Sequence, residues 1–595
     1  MKLKTSILIC LIIVLFSCNP AEKEIPETLI GNYYDKSGDE FWAYSLQKKF
    51  VIFESQFWNV TKVTNHKDFT KINIENENSK RKLLISQIND LDFKIENKEG
   101  SKVYNRKPNQ DIRKPKNSPF ALHPGRANIY GFIKDYKKYS EANPRIHFLY
   151  NDYINVEANS VYAPIDSLGR FQLEMDLLSA QDIMYQFNNQ LFQAFVSPND
   201  TLMIYFDPEH PENTDFQGTK PDINYDLVNT QKRRFQIDSP QEDNNQLSKH
   251  FDQYKVFKDS IQKNEMQFLN EYSKNQSCSE LFKIWYKTDS EIGNYTDLLN
   301  YSWKNYYSKD VENSMEAYNS YLDSFFAEIN MNDTIAPISG RYFFYTNAVN
   351  NKIPRYRKLL NDLINNEIPI EERKEKFIGV YNAKMALIID SMEDGRLKDI
   401  LLAKLVSGEI RYRHIDNIDK TFDLVDERIH YKPYLTHLSD FIEDFKKKEA
   451  EFANNPITYR KSNSSGEQLL KKIIEDNINK VIILDFWFTG CSACRQDFEK
   501  IGAFKKELSV EADVEFVYLC YGSAEKDWKY VTKEYNLQGQ NYLLTQEQFI
   551  HFQELFSISG APRYILINKA GRVANSNFRP PMNKDQFVLE IKRTQ

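Results

Sequence analysis

The sequence predicts a multidomain chain in which antiparallel β domains come first, an α-helical domain follows, and an α/β domain closes the C-terminus. Three observations predict it. With 595 residues the chain is too long for one hydrophobic core, and about 100 to 200 residues per domain gives roughly three to five domains. The apolar pattern alternates before residue 223, recurs every three or four positions up to 454, and mixes both periods after that. In DFWFTGCSACRQDF, residues 485–498, two cysteines three positions apart sit where a strand pattern gives way to a helix pattern.

Taken in order, Lys2 and Lys4 precede the apolar run SILICLIIVLF, which is short for a membrane span of ~20 residues but fits the core of a signal peptide over 1–17. Ser17 before Cys18 resembles a bacterial lipobox, and the resemblance implies export, lipidation of Cys18 and a tether over 18–29. Residues 30–105 alternate in FWAYSL, KFVIFES, KLLISQI and DFKIEN, which predicts a small antiparallel β domain. The Pro- and Lys-rich stretch RKPNQDIRKPKNSPFALHPG, 106–125, reads as a linker. Short strands such as ANIYGFIKDY, RIHFLY, RFQLEM and TLMIYF, broken by DSLGRF and SPNDT, predict an antiparallel β-sandwich-like domain over 126–222. Stretches such as EAYNSYLDSFFAEI, with few glycines, predict an α-helical domain over 223–454. The aromatic stripes of that domain read as core.

From 455 to 595 the sequence alternates in type. Helical GEQLLKKIIEDNINK leads to the strand VIILDFWF, the cysteines open the helix ACRQDFEKIGAFKKEL, and VEFVYLCYG, EKDWKYVTKEY, the hairpin-like RYILINKAGRV and KDQFVLEIK follow. This is a βαβ half joined to a ββα half, a sheet covered by helices.

Composition narrows the chemistry. A chain 41% hydrophobic and 27% charged is globular in type, and a formal charge of -6 without basic blocks leaves no footprint for nucleic acid. The nine histidines are scattered without metal-ligand spacing, so neither a zinc hydrolase nor a metal site is expected. Of six cysteines, Cys10 leaves with the signal and Cys18 is expected to be acylated. Cys278 and Cys520 are expected to be isolated buried thiols. Cys491 and Cys494 remain, with three readings: a redox pair, half of a zinc site, or a structural disulfide. Zinc would need two more ligands at paired spacing, and so short a loop gains little from cross-linking.

The strand, C-x-x-C and helix order, Asp485 six residues before Cys491, and Gly560-Ala561-Pro562-Arg563 before the strand YILIN resemble thioredoxin. With the export signal and the preceding β domain, they resemble TlpA-like thiol-disulfide oxidoreductases of the exported lipoprotein type. The resemblance implies Cys491 as nucleophile, Cys494 as resolving thiol and Asp485 as a buried proton acceptor. It implies substrate contact through Trp487, Ala561 and a cis-Pro562, and no cofactor beyond the Cys491–Cys494 disulfide. It further implies protein disulfide substrates, a membrane thiol electron donor, and a bacterial cell-envelope location on the periplasmic side, lipid-anchored to a membrane. Gly490, Ser492 and Ala493 stand where the family commonly has Trp, Gly and Pro. Since the intervening dipeptide tunes redox potential, reductant and oxidant both stay open. Two alternatives stand beside this: a partner-binding or scaffold lipoprotein with a secondary thioredoxin-like module, and a peroxiredoxin-like antioxidant enzyme. The latter would need Ser or Thr where Phe488 stands.

Overall fold

The structure is a computed structural model that describes residues 23–37, 41–109, 120–139, 145–155, 159–188, 190–237, 250–275, 278–301, 311–352, 382–383, 385–411, 415–453, 455–491, 493–495, 497–499, 501–502, 505, 513–578, 580 and 584–593. The signal segment with Cys18, and Ser492 of the cysteine motif, lie outside these residues. The chain divides into two compact units. One holds the described residues up to Tyr153 and from 159 to 352; the other holds Ile154, Asn155 and those from 382 onwards. The division falls inside the helical stretch, so helices belong to both units.

In the first unit, the alternation over 31–105 builds a closed eight-stranded barrel. Each strand pairs antiparallel with the next, and the seam joins Tyr34 and Asp35 to Asn105 and Tyr104. Inward positions such as Tyr33, Tyr44, Trp58, Ile72, Leu83 and Phe93 fill its interior. Residues 125–218 form two four-stranded sheets. They are not wholly antiparallel as the sequence suggested: Thr201–Phe206 runs parallel to Gly125–Ile133. The chain crosses to the other sheet and back twice between these strands, and such crossovers let a strand return in the same direction. Trp42, Phe50 and Ile52 of the barrel share a core with Ile129, Phe148 and Tyr185 of the sheets. Asp215 accepts from Tyr34 Oη at 2.6 Å, from Asn32 Nδ2 at 2.8 Å and from Tyr225 Oη at 3.3 Å, tying barrel, sheet and the following helix at one buried point. Helices at Phe251–Asn275, Glu280–Leu299 and Val311–Glu328 follow. Ser279 caps the second by accepting from Phe282 N, and Trp285 Nε1 donates to Asp182 at 2.7 Å.

In the second unit, helices at Arg396–Arg411, Ile415–Val425 and Lys432–Ala453 precede a six-stranded sheet. Its elements are β1 (Thr458–Arg460), α1 (Gly466–Asp476), β2 (Val481–Trp487), β3 (Val514–Cys520), α2 (Glu525–Glu534), β4 (Gln540–Leu543), α3 (Gln546–Phe556), β5 (Arg563–Ile567), β6 (Val573–Phe578) and α4 (Lys584–Lys592). The strand order is β1-β4-β3-β2-β5-β6. β2 pairs parallel with β3 and antiparallel with β5, so it is central and buried along its whole length. The even residues Ile482, Leu484 and Phe486 pack with α1 and α3, while Val481, Ile483 and Trp487 face the layer that carries the cysteines. β1, β4 and α3 are elements the sequence reading did not separate.

Candidate active site at the strand-to-helix junction

β2 ends at Trp487, and a turn of Phe488, Thr489 and Gly490 delivers Cys491. The Cys491 amide donates to the Phe488 carbonyl at 3.0 Å. The turn is fixed from both sides. Thr489 N donates to Ser523 Oγ at 3.0 Å, and Arg495 Nη2 donates to the Thr489 carbonyl at 2.7 Å. The described residues from 493 to 505 are helical, so Cys491 sits just before a helix start, where backbone N–H groups lack internal partners. One of them, Cys494 N, donates to Cys491 Sγ at 3.1 Å. The two cysteines are joined as a disulfide, with their Cα atoms 5.3 Å apart. Cys491 keeps 5% of its surface exposed and Cys494 none.

The same face of β2 carries Asp485, which is buried. It lies in register with Tyr518 of β3 and Tyr564 of β5. Its Oδ1 has no hydrogen-bond partner among the described residues. Burial, and then repulsion from Asp497, holds its carboxyl well above the usual range, while Lys505 pulls the other way. Tyr564 Oη donates to Asp497 at 3.0 Å. Lys505 Nζ donates to Tyr518 Oη at 2.6 Å and to the Gln538 carbonyl. It also lies 4.7 Å and 4.4 Å from the ring centres of Phe516 and Tyr518. Burial lowers its ammonium to about 7, against the attraction of Asp485 and Glu515.

On the face of β2 that looks toward the cysteine-bearing layer, then, an acid pushed toward its neutral form and a lysine pushed toward its neutral form lie within electrostatic reach of each other. Such a pair can exchange a proton.

The remaining predicted positions fall as follows. The Ala561–Pro562 peptide bond is cis, and Ala561 packs against the cluster that contains both cysteines. Trp487, expected to touch substrate, is wholly buried, its ring edge-on to Phe498 at 5.2 Å. Two positions after Asp485 on an alternating strand, it points the same inward way; the half-exposed neighbour is Phe488. Cys520 is buried, in register with Trp487, and burial pushes its thiol up to about 12. Cys278 is half-buried, not fully buried as expected. Among the described residues, no group of three or more His, Cys, Asp or Glu is placed to hold a metal ion. Asp497, Lys505, Tyr518 and Tyr564 escaped the sequence reading. The tyrosines could have been found from strand parity with Asp485, whereas a lysine in an amphipathic helix gives no sign of burial.

A family model described as thioredoxin-like matches residues 479–573. These residues form a thioredoxin-like domain. No curated protein matches the chain. Among solved structures, the chain is similar to the thioredoxin domain of a thiol-disulfide oxidoreductase from Bacteroides vulgatus, at 25% identity over 20% of this chain and 84% of that one, with a TM-score of 0.18. A thioredoxin-family thiol:disulfide interchange protein from Chlorobium tepidum matches at 20% identity over 20% and 83%, with a TM-score of 0.19. A secreted disulfide oxidoreductase from Mycobacterium tuberculosis matches at 15% identity over 20% and 85%, with a TM-score of 0.17. The thioredoxin-like domain thus carries its cysteine pair at the junction of its central strand and the helix that follows.

Proposed function

We propose that this protein is a thiol-disulfide oxidoreductase that reduces protein disulfides through Cys491 and Cys494. The observation that carries the reading is the asymmetry of the pair: Cys491 keeps 5% of its surface exposed, lies ahead of a helix and accepts from Cys494 N, while Cys494 is fully buried. Helix N-termini and N–H donors stabilise a thiolate, so Cys491 is the attacking sulfur once the pair is reduced. The Cys491 thiolate attacks one sulfur of a client disulfide. The second client sulfur leaves as a thiolate and takes up a proton. Cys494 then gives its proton to the buried acid–lysine system, attacks Cys491 Sγ, and releases the client's remaining sulfur as a thiol. Two electrons pass to the client, and the Cys491–Cys494 disulfide is left behind.

The proposal includes Cys18 lipidation, an envelope location on the periplasmic side, and a membrane thiol donor that restores the dithiol. Its support is the sequence of the first eighteen residues. Cys494→Ser is the test. It should trap covalent client adducts on Cys491, visible on non-reducing gels, and abolish insulin reduction. A clean monomer band, together with no insulin reduction by the wild type, would overturn the reading. Mass spectrometry of the membrane fraction checks the acyl group on Cys18.

A further inference from the structure

Cys491 exposes so little surface that a client sulfur can reach it only by pressing against the loops around it. Three loops lie at that end of the sheet: 488–491 after β2, 521–524 after β3, and 557–562 before β5. Their sequences, FTGC, YGSA and SISGAP, contain no charged residue, in a chain that is 27% charged. Gly490, Gly522 and Gly560 are exposed. Among the described residues, a Cβ at Gly522 or Gly560 would meet nothing within 4 Å, and one at Gly490 would meet only the Phe488 ring. The three loops are therefore uncharged and open to close backbone approach, and Arg495, in the helix that follows the first of them, donates to the Thr489 carbonyl.

A row of half-exposed rings leads away from it. Phe488, whose carbonyl holds the Cys491 amide, has its ring centre 5.8 Å from that of Tyr521. Tyr521 is anchored by its amide to the Trp487 carbonyl at 3.0 Å and stacks flat on Phe549 of α3, with centres 3.8 Å apart. All three are partly solvent-exposed. An aromatic surface continuous with a reactive centre offers an arriving chain both apolar burial and ring contacts.

We infer that the Phe488–Tyr521–Phe549 row selects the client: an uncharged polypeptide segment carrying an aromatic side chain within a few residues of its reacting cysteine. The inference rests on the oxidoreductase reading above. The absence of charge in the three loops favours this occupant over an acidic or basic segment, which would lose hydration without gaining a partner.

The test uses full-length protein, reduced beforehand, in single turnovers against disulfide peptides. Members of each pair differ only by Phe or Ser at one position within four of the reacting cysteine, and further pairs carry Lys or Glu there. Hydroxyethyl disulfide serves as a substrate without side chains. The wild type should favour Phe over Ser at one or more positions by about 3- to 10-fold in the second-order rate constant, the size of one ring contact. Tyr521→Ser and Phe549→Leu should each bring that ratio toward one. Phe549→Leu keeps apolar volume in the core, so a folding defect in one variant leaves the other to decide. A wild-type ratio near one at every position, a preference for Lys or Glu, or a ratio unmoved by both variants overturns the inference. If hydroxyethyl disulfide is still reduced in those cases, the oxidoreductase reading stands. Reduction of neither peptide nor hydroxyethyl disulfide overturns both.

Discussion

Asp215 is where the barrel, the strand Asp215–Gly218 and the helix Pro221–Ile237 meet, and its protonation should set how stable that junction is. Burial holds its carboxyl at about 7 against an ordinary 3.8, with the donors Tyr34, Asn32 and Tyr225 pulling down only part of the way. Between those values the folded chain keeps a proton that the unfolded chain has released. Stability therefore falls as pH rises from about 4 to about 7. At 1.36 kcal/mol per unit, the difference between 3.8 and about 7 amounts to about 4 kcal/mol. Asp215→Asn keeps an acceptor and removes the titration. The assay equilibrates both proteins in urea between pH 4.5 and 8, then pulse-labels backbone amides at one common pH. Peptides spanning 31–35 and 215–218 are read by mass spectrometry. The wild-type midpoint for these peptides should drop across the window while that of the variant stays level, so their difference isolates Asp215 from other titrating groups. Parallel curves would refute the reasoning.

Three further variants give four expected outcomes. Asp485→Leu removes a buried carboxyl whose Oδ1 is unpartnered among the described residues; it should raise the urea stability of the second unit at pH 7 by about 1 to 3 kcal/mol, and a lower midpoint would contradict this. The same variant should slow resolution of a preformed Cys491 mixed disulfide by roughly 100-fold, measured by stopped flow, if the acid takes the Cys494 proton. Lys505→Met should abolish a rise in stability with pH that the wild type shows above about 7: its ammonium deprotonates in the folded chain before the unfolded one, so the unfolded chain binds more protons in that range. Gly131→Ala would set a Cβ 1.9 Å from Phe171 Cζ. The buried Phe171 ring must move to accept it, at about 3 kcal/mol of lost stability by thermal melting.

Local pattern carried much of the second unit. The alternation in VIILDFW and the cysteines behind it marked the central strand and the helix start, because both signals span few residues. β4 and α3 were lost because QNYL is short and its partner strands are remote. Even so, Thr545 and Gln548 form a capping box that announces the helix. Trp487 was misplaced by nearness to the cysteines along the chain, although its parity with Asp485 on an alternating strand already argued for burial. The polar surroundings of Asp485 come from a lysine twenty residues on and from tyrosines on two other strands, and only folding brings those together. Barrel closure was equally out of reach, since alternation reads the same in an open sheet and a closed one.

The barrel seam bears on how the chain is made. Every other strand in the barrel meets its predecessor through a short connection, so hairpins can form as the residues emerge, at roughly 5 to 20 per second. The last ladder must wait until Tyr104 and Asn105 return to Asp35 and Tyr34. Until they do, the first and latest strands are two open edges able to pair with a neighbouring chain, and afterwards the barrel has none. A stop or cleavage before residue 104 would therefore leave more than a shorter protein: it would leave a sheet that can be completed only by another molecule.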